Sequence, residues 1–273
     1  MRFKRRPGDG TYSARRFSTN ISPRTHEHAQ SGRPERRLRS DGDLVRALPA
    51  DAVRYAILSV GTSVGRGYGP VLVSKKPCAL ASLRGQRVGV PGIPTTGWFL
   101  LRGLCPEAIP VEMPFDQIAD AVAAENLAAG VMIHEELLYF PKLGLHSVAD
   151  LGAIWCQQNA LPLPVGLNVI RRDLGLTAMQ QIGEAIRRSL RYGLDHFDET
   201  LARVSRFGRG SDGDCTEQFV SMFANQDSLQ MPEDVRTALG VLLTQVVDLG
   251  YGETVPAFDI IEGLLPIAAD GNP

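Results

Sequence analysis

Cysteine is scarce and scattered. Cys78, Cys105, Cys156 and Cys215 lie far apart, and no two form a C-x-x-C pair. That pattern disfavours a disulfide framework or a zinc site and fits ordinary reduced thiols of an intracellular protein. No apolar run reaches the ~18 residues that a membrane-crossing helix needs, and the N-terminus lacks the apolar core of a secretory signal. Charge of one sign is also missing overall. The net of -1 gives no general pull toward nucleic acid or an anionic membrane. There is no internal repeat. What remains is core material: 44% of the 273 residues are hydrophobic, enough for one large domain or two lobes.

The near-neutral total hides an asymmetry. Residues 1–50 carry 12 Lys and Arg against 5 Asp and Glu, whereas the remainder carries 17 against 25. Residues 1–54 show no sustained period of 2 or 3.6 and few aliphatics, with Pro and Gly scattered throughout. A solvated basic tail is the simplest reading. A nucleic-acid arm lacks aromatic interleaving or a motif to support it. An organellar transit peptide is a further reading of the Arg- and Ser-rich composition, interrupted by acidic residues.

From Arg54 the texture changes. YAILSV reads as a strand, GTSVGRGYGP as a glycine-rich loop, and VLVSKK as a second strand, with a loop through Leu80–Gly85. The stretch Arg87–Phe140 then carries two short apolar runs, Val88–Val90 and Gly130–Ile133, read as buried parallel strands. Segments of helical period lie between them, near Thr96–Leu104 and Asp116–Glu125. This alternation is a βαβ pattern, whose sheets bind ligands at the carboxyl ends of their strands. Further on come a short helical turn near Val148–Trp155, a Pro-punctuated loop LPLPVG, and a strand LNVIRR. Thr177–Arg206 is a long amphipathic region with Ile182, Ile186, Leu190, Leu194 and Phe197 near one face. EQFVSMFAN and PEDVRTALGVLLTQVVDLG read as helices, the latter with Pro232 near its first turn and Gly250 near its end. The last twenty residues read as a loosely packed tail.

Several residues invite a functional reading. GTSVG fits the G-x-S-x-G pattern that would make Ser63 a nucleophile, but three glycines and a proline follow where that motif needs a helix. Gly67 and Gly69 fit close backbone approach instead. His134 closes the run AGVMI and precedes two glutamates, which puts it at a strand mouth. An imidazole titrates near neutrality, which suits proton abstraction there. HEELL is not H-E-x-x-H, so a metal site is not expected. Thr95 and Thr96 follow PGIP and precede an apolar helical run. They read either as plain helix caps or as part of a helix N-terminus that binds an acceptor oxygen.

The segments YAILSVGTSVGRGYGPVLVSK, LRGQRVGVPGIPTTGWFLL, GVMIHEELLYFPKLGLHSVADLGAIW and LPLPVGLNVIRRDLG, in this order, resemble the 1,4-dihydroxy-6-naphthoate synthases of the futalosine route to menaquinone. Weaker similarity runs on through IRRSLRYGLDHFDE and FVSMFANQDSL to the last helix, covering about residues 54–252. The resemblance implies an α/β, two-lobed periplasmic-binding-protein-like type II fold. The first lobe would be 55–86 plus 171–252, the second 87–170, with 1–54 aberrant and 253–273 a tail. It also implies lyase chemistry without a cofactor, converting cyclic dehypoxanthinyl futalosine to the dihydroxynaphthoate and a three-carbon fragment. The family's proton-accepting histidine falls on His134, its substrate-holding threonines on Thr95 and Thr96, its glycine-rich turn on Gly67, Gly69 and Pro70, and its cleft loop on Pro162–Gly166, including Pro164 and Gly166. The implied partner is a small-molecule substrate, with no nucleic acid or membrane; a homodimer is compatible, and the implied compartment is the cytoplasm. Some relatives with this pattern carry only a substrate-binding label, so a non-catalytic solute-binding protein of the same fold, as in ABC transporters, is the rival reading.

The resemblance breaks at the front, where the family's opening strand, loop and helix find no counterpart in residues 1–54. THEHAQS at Thr25–Ser31 is similar to a family segment, and the match then collapses. With one permitted choice of synonymous codons, a reading one base later turns Gly32–Glu35 into Asp-Val-Gln and Asp41–Ala50 into Thr-Ala-Ile-Ser-Ser-Val-Pro-Tyr-Pro. Both resemble the family at that place. The expectation is that roughly Ser31–Val53 is out of frame, that the first lobe lacks a βα unit, and that the chain as written is inactive or poorly soluble.

Overall fold

A computed structural model describes residues 52–205 and 213–263. The chain runs through strands β1 (Tyr55–Leu58), β2 (Ser63–Gly65) and β3 (Val71–Ser74), then a 3-10 turn at Leu80–Leu83. Next come β4 (Arg87–Val90), α1 (Thr96–Leu104), β5 (Ile109–Glu112), α2 (Phe115–Ala123), β6 (Ala129–Met132), α3 (Glu136–Tyr139), β7 (His146–Asp150) and α4 (Leu151–Asn159). The remainder holds β8 (Leu163–Gly166), β9 (Val169–Arg171), α5 (Leu176–Asp195), α6 (Phe197–Val204), α7 (Gly213–Phe223), α8 (Gln226–Leu229), α9 (Glu233–Asp248) and β10 (Ile260–Ile261). The expected frame change over about Ser31–Val53, and the βα unit expected to be missing there, lie outside the described residues except for Ala52 and Val53.

The central βαβ reading is realised with close bounds. β4 and β6 pair in parallel, and β5 adds in parallel on the other side of β4. β3 lies antiparallel between β6 and β7, giving the order β5-β4-β6-β3-β7. Since β7 therefore runs with β4, β5 and β6, the carboxyl ends of four strands and the amino end of β3 share one edge. Thr95 starts α1 by accepting from the Trp98 amide, and the helix buries Trp98, Phe99, Leu100 and Leu101 against the sheet. Helix α2 turns Ile118, Ala119 and Val122 to the opposite face at helical spacing.

Some sequence expectations need correcting. VLVS, placed by chain order in the first lobe, is buried at every position and joins the larger sheet, because β6 and β7 flank it on both sides. The segment read as a loop, LPVG, is strand β8, paired antiparallel with β2 across a bulge between Ser63 and Val64. An irregular two-stranded ladder tolerates the proline that would disrupt a central strand. The expected tail supplies β10, which runs parallel to β1 while β9 flanks β1 antiparallel. Val148–Asp150 is strand rather than helix; Asp150 then caps α4 by accepting from the Ala153 amide at 2.8 Å.

Two packing groups matter for the site. Helix α5 presents Ile182, Ile186 and Leu190 to Ala56, Leu58 and Ile170 of the β1–β9 sheet. Helix α9 buries Val235, Leu239, Leu242 and Val246 in a core continuous with Ile57, Val64, Leu72 and Val88, so it packs with residues of all three sheets. All described residues lie in a single compact unit, Leu38–Pro273. No described helix is long and apolar enough to cross a membrane.

Candidate functional site

His134 stands two residues beyond β6, at the shared edge of strand carboxyl ends. Its φ of +54° lies in the left-handed region, unusual for a residue with a β-carbon, and such strain gathers at functional positions. Its carbonyl accepts from the Leu137 amide at 3.2 Å, which starts the short helix α3. The side chain is exposed, and its ring lies beside Phe115 at 4.7 Å and Phe219 at 6.5 Å between centroids.

On the adjacent strand the same edge carries the start of α1. Thr95 Oγ1 donates to Gly92 O at 2.9 Å and accepts from Trp98 N at 3.3 Å, so this hydroxyl serves as a helix cap. Thr96 Oγ1 donates to Val165 O of β8 at 3.4 Å, a long and weak bond. Thr95 is 9% exposed and Thr96 3%, so the pair is enclosed. The amides of Thr96 and Gly97, in the first turn, are the orphan donors that every helix start presents. A β-carbon at Gly97 would sit 2.9 Å from Val131, 3.7 Å from Pro70 and 3.8 Å from Ile133. The α1 N-terminus, the glycine-rich turn and the residue before His134 are therefore direct neighbours.

The glycine-rich turn has two different glycines. Gly67 has φ +84° and open space around it. Gly69 is buried where backbone crosses backbone: a β-carbon there would lie 2.8 Å from Gly152 Cα, at the start of α4. Pro70 O accepts from the Leu151 amide at 2.9 Å, which fastens the turn to that helix. Pro164 is buried on β8 opposite Val64, and Gly166 is half-buried opposite Ser63. Ser63 itself opens strand β2, with no helix after it, so the nucleophile pattern finds no support.

Sequence reasoning overlooked the aromatic group behind His134. Phe115, His134, Phe219, Phe223 and Tyr68 form a row of ring contacts in that order. The signal was present as Phe219 and Phe223 in FVSMF, four residues apart on one helix face. Burial pushes the Tyr68 phenol up from its ordinary pKa, and its hydroxyl donates to Met222 O at 2.6 Å.

Charge is concentrated beside the turn. The Arg66 guanidinium donates to Asp227 and Asp234 together and holds the Asp234 carboxyl below the usual carboxylate range. Burial pushes Asp150 the other way, upward, despite its bonds from the Ala153 and Gly152 amides. Among the described residues no His, Cys, Asp and Glu cluster could hold a metal ion. A hollow of about 260 Å³ lies elsewhere, lined by Leu104 of α1, Trp155 of α4 and Leu249 after α9. Gln158, Gln245 and Asp248 are its polar lining residues, and Gln245 is bonded to Trp155 and Asn159.

Comparison with known proteins gives this edge its context. A crystal structure of an Archaeoglobus fulgidus protein superposes with a TM-score of 0.69 at 41% identity, covering 72% of this chain and 74% of that one. An alkanesulfonate-binding protein from Xanthomonas axonopodis, solved with MOPS, gives a TM-score of 0.57 at 11% identity, with coverage of 80% and 76%. That likeness concerns the fold alone, which is periplasmic-binding-protein-like. The 1,4-dihydroxy-6-naphtoate synthase of Thermus thermophilus is 36% identical over 203 residues, 74% of each chain. The Streptomyces coelicolor protein of the same name is 32% identical over 209 residues, 74% of this chain and 72% of its own. Residues 45–247 match the family model described as menaquinone biosynthesis, and with relatives this similar over this much of its length the chain belongs to that family.

Proposed function

We propose that the chain is a lyase that breaks a carbon–carbon bond of cyclic dehypoxanthinyl futalosine to give 1,4-dihydroxy-6-naphthoate, with His134 as the proton acceptor. The carrying observation is the placing of His134 in a left-handed turn at the edge where β4 and β6 end side by side. A general base needs an accessible nitrogen in a fixed position beside the substrate. The exposed, ring-flanked imidazole stands at that edge and supports this role.

Within this reading the α1 N-terminus orients the substrate. Its first-turn amides and positive dipole end favour an acceptor oxygen or carboxylate. The Thr95 hydroxyl contributes by building that turn, and Thr96 through its amide and its weakly held hydroxyl. Gly67, with no side chain, leaves the substrate room at the glycine-rich turn.

His134→Ala tests the assignment. Turnover of cyclic dehypoxanthinyl futalosine should be lost while substrate affinity stays within about tenfold. With the reading frame through residues 31–53 verified by resequencing the gene, a solute-binding protein on this fold would show no turnover in the wild type and only an affinity change in the variant, which would end the enzymatic reading.

A further inference from the structure

Helix α7 reaches His134 from a distant part of the chain and meets it with an aromatic side chain. The Phe219 ring stands 6.5 Å from the imidazole with planes at 62°, while Phe115 lies on it at 4.7 Å and 55°. Phe219 is backed by Phe223 at 4.9 Å, and Phe223 meets Tyr68 edge-on at 5.5 Å. The Tyr68 hydroxyl bonds Met222 O, so the last turn of α7 is tied to the glycine-rich turn. Beneath this row, Phe219, Met222 and Phe223 pack onto a cluster that includes Val71, Ile118, Met132 and Leu137. The base of the glycine-rich turn is fixed in turn by Arg66 on Asp227 and Asp234.

We propose that Phe219 is a positioning residue for the reaction: its ring, braced by Phe223 and Tyr68, fixes the direction in which the His134 imidazole faces. This rests on the role of His134 proposed above. Exposed side chains exchange rotamers on the picosecond to nanosecond scale, whereas proton transfer requires a narrow geometry. The unusual backbone conformation sets where the His134 side chain leaves the chain. Phe115 and Phe219 bear on the ring torsions beyond that point, one from each of two separate helices. The ring row also makes imidazole direction depend on the glycine-rich turn, since Tyr68 belongs to it.

The test compares Phe219→Ala, Phe219→Leu and Phe219→Tyr in the full chain, using steady-state kinetics with cyclic dehypoxanthinyl futalosine and NMR of the His134 ring protons. The leucine variant keeps apolar bulk, so it guards against reading a packing defect as a positioning effect. The alanine and leucine variants should lose about tenfold or more in kcat with KM nearly unchanged. Their His134 ring resonances should shift, and the tyrosine variant should restore both readouts. Wild-type kcat and unmoved ring resonances in Phe219→Leu would overturn the proposal, as would a rise in KM alone. His134→Ala run in parallel separates the two claims. Turnover retained there sinks the functional reading, whereas an inactive His134→Ala beside a fully active Phe219→Leu sinks only the positioning role.

Discussion

Arg66 grips Asp227 through two parallel bonds, Nε to Oδ2 at 2.7 Å and Nη2 to Oδ1 at 2.9 Å. The same guanidinium reaches both oxygens of Asp234 at 2.8 and 3.3 Å, and so joins the turn after β2 to α8 and to the first turn of α9. Forked geometry of this kind is where arginine differs from lysine.

Replacing Arg66 should therefore loosen the turn that carries Gly67 and Tyr68. Arg66→Ala is expected to cost about 1 kcal/mol, more than an ordinary exposed pair because three charges form a network. Arg66→Lys should recover only part of it. Because Arg66 depresses the Asp234 pKa, the stability it lends is present above the ordinary carboxylate range and is lost as pH falls through the lowered value. Urea melts of wild type and Arg66→Ala should thus differ at neutral pH and converge in acid. Equal midpoints at neutral pH would show that the network contributes nothing.

Asp150 should behave in the opposite sense. Its carboxylate caps α4 but is partly withdrawn from water, and burial raises its pKa. A raised folded-state value means that protonation favours the folded form. The stability attached to that proton is full below the ordinary carboxylate range and is lost as pH rises through the raised value. Asp150→Asn keeps an acceptor for the Ala153 amide and removes the buried charge, so at neutral pH it should match or exceed the wild type in thermal stability. Asp150→Ala should lose about 1 kcal/mol below the ordinary carboxylate range, as cap removal does, and less as pH rises through the raised value. An asparagine variant as unstable as the alanine one would show that the charge itself, acting on the α4 dipole, outweighs its burial.

How much of this was legible in the sequence depended on how local each signal was. β4, α1, α2 and β6 announced themselves because a buried parallel unit writes short apolar runs and helical periodicity into contiguous residues. β5 did not: IPVE is half-exposed at the sheet edge and contains Pro110, so neither alternation nor an apolar run marks it. β8 was hidden by Pro164 and by Pro162 just before it, and its pairing with β2 is a relation between distant segments. The same holds at the site. The position of His134 after AGVMI was readable, but its left-handed backbone and its contact with Phe219 exist only once α7 is folded back over β6.

The threonine pair offers the sharpest division between structural and substrate-binding roles. Thr95 spends its proton on Gly92 O and accepts from the Trp98 amide, so Thr95→Ala should cost about 1 kcal/mol in stability, and Thr95→Ser should restore most of it. Thr96 has only its long bond to Val165 O, so Thr96→Val should change stability by less than about 0.5 kcal/mol. If the α1 start holds the substrate through hydroxyl as well as amide, Thr96→Val should raise KM about tenfold without unfolding the chain. The measurement pairs thermal melts with KM for both variants. A large stability loss at Thr96 with unchanged KM would make the pair purely structural and leave only the Thr96 and Gly97 amides to receive substrate at this edge.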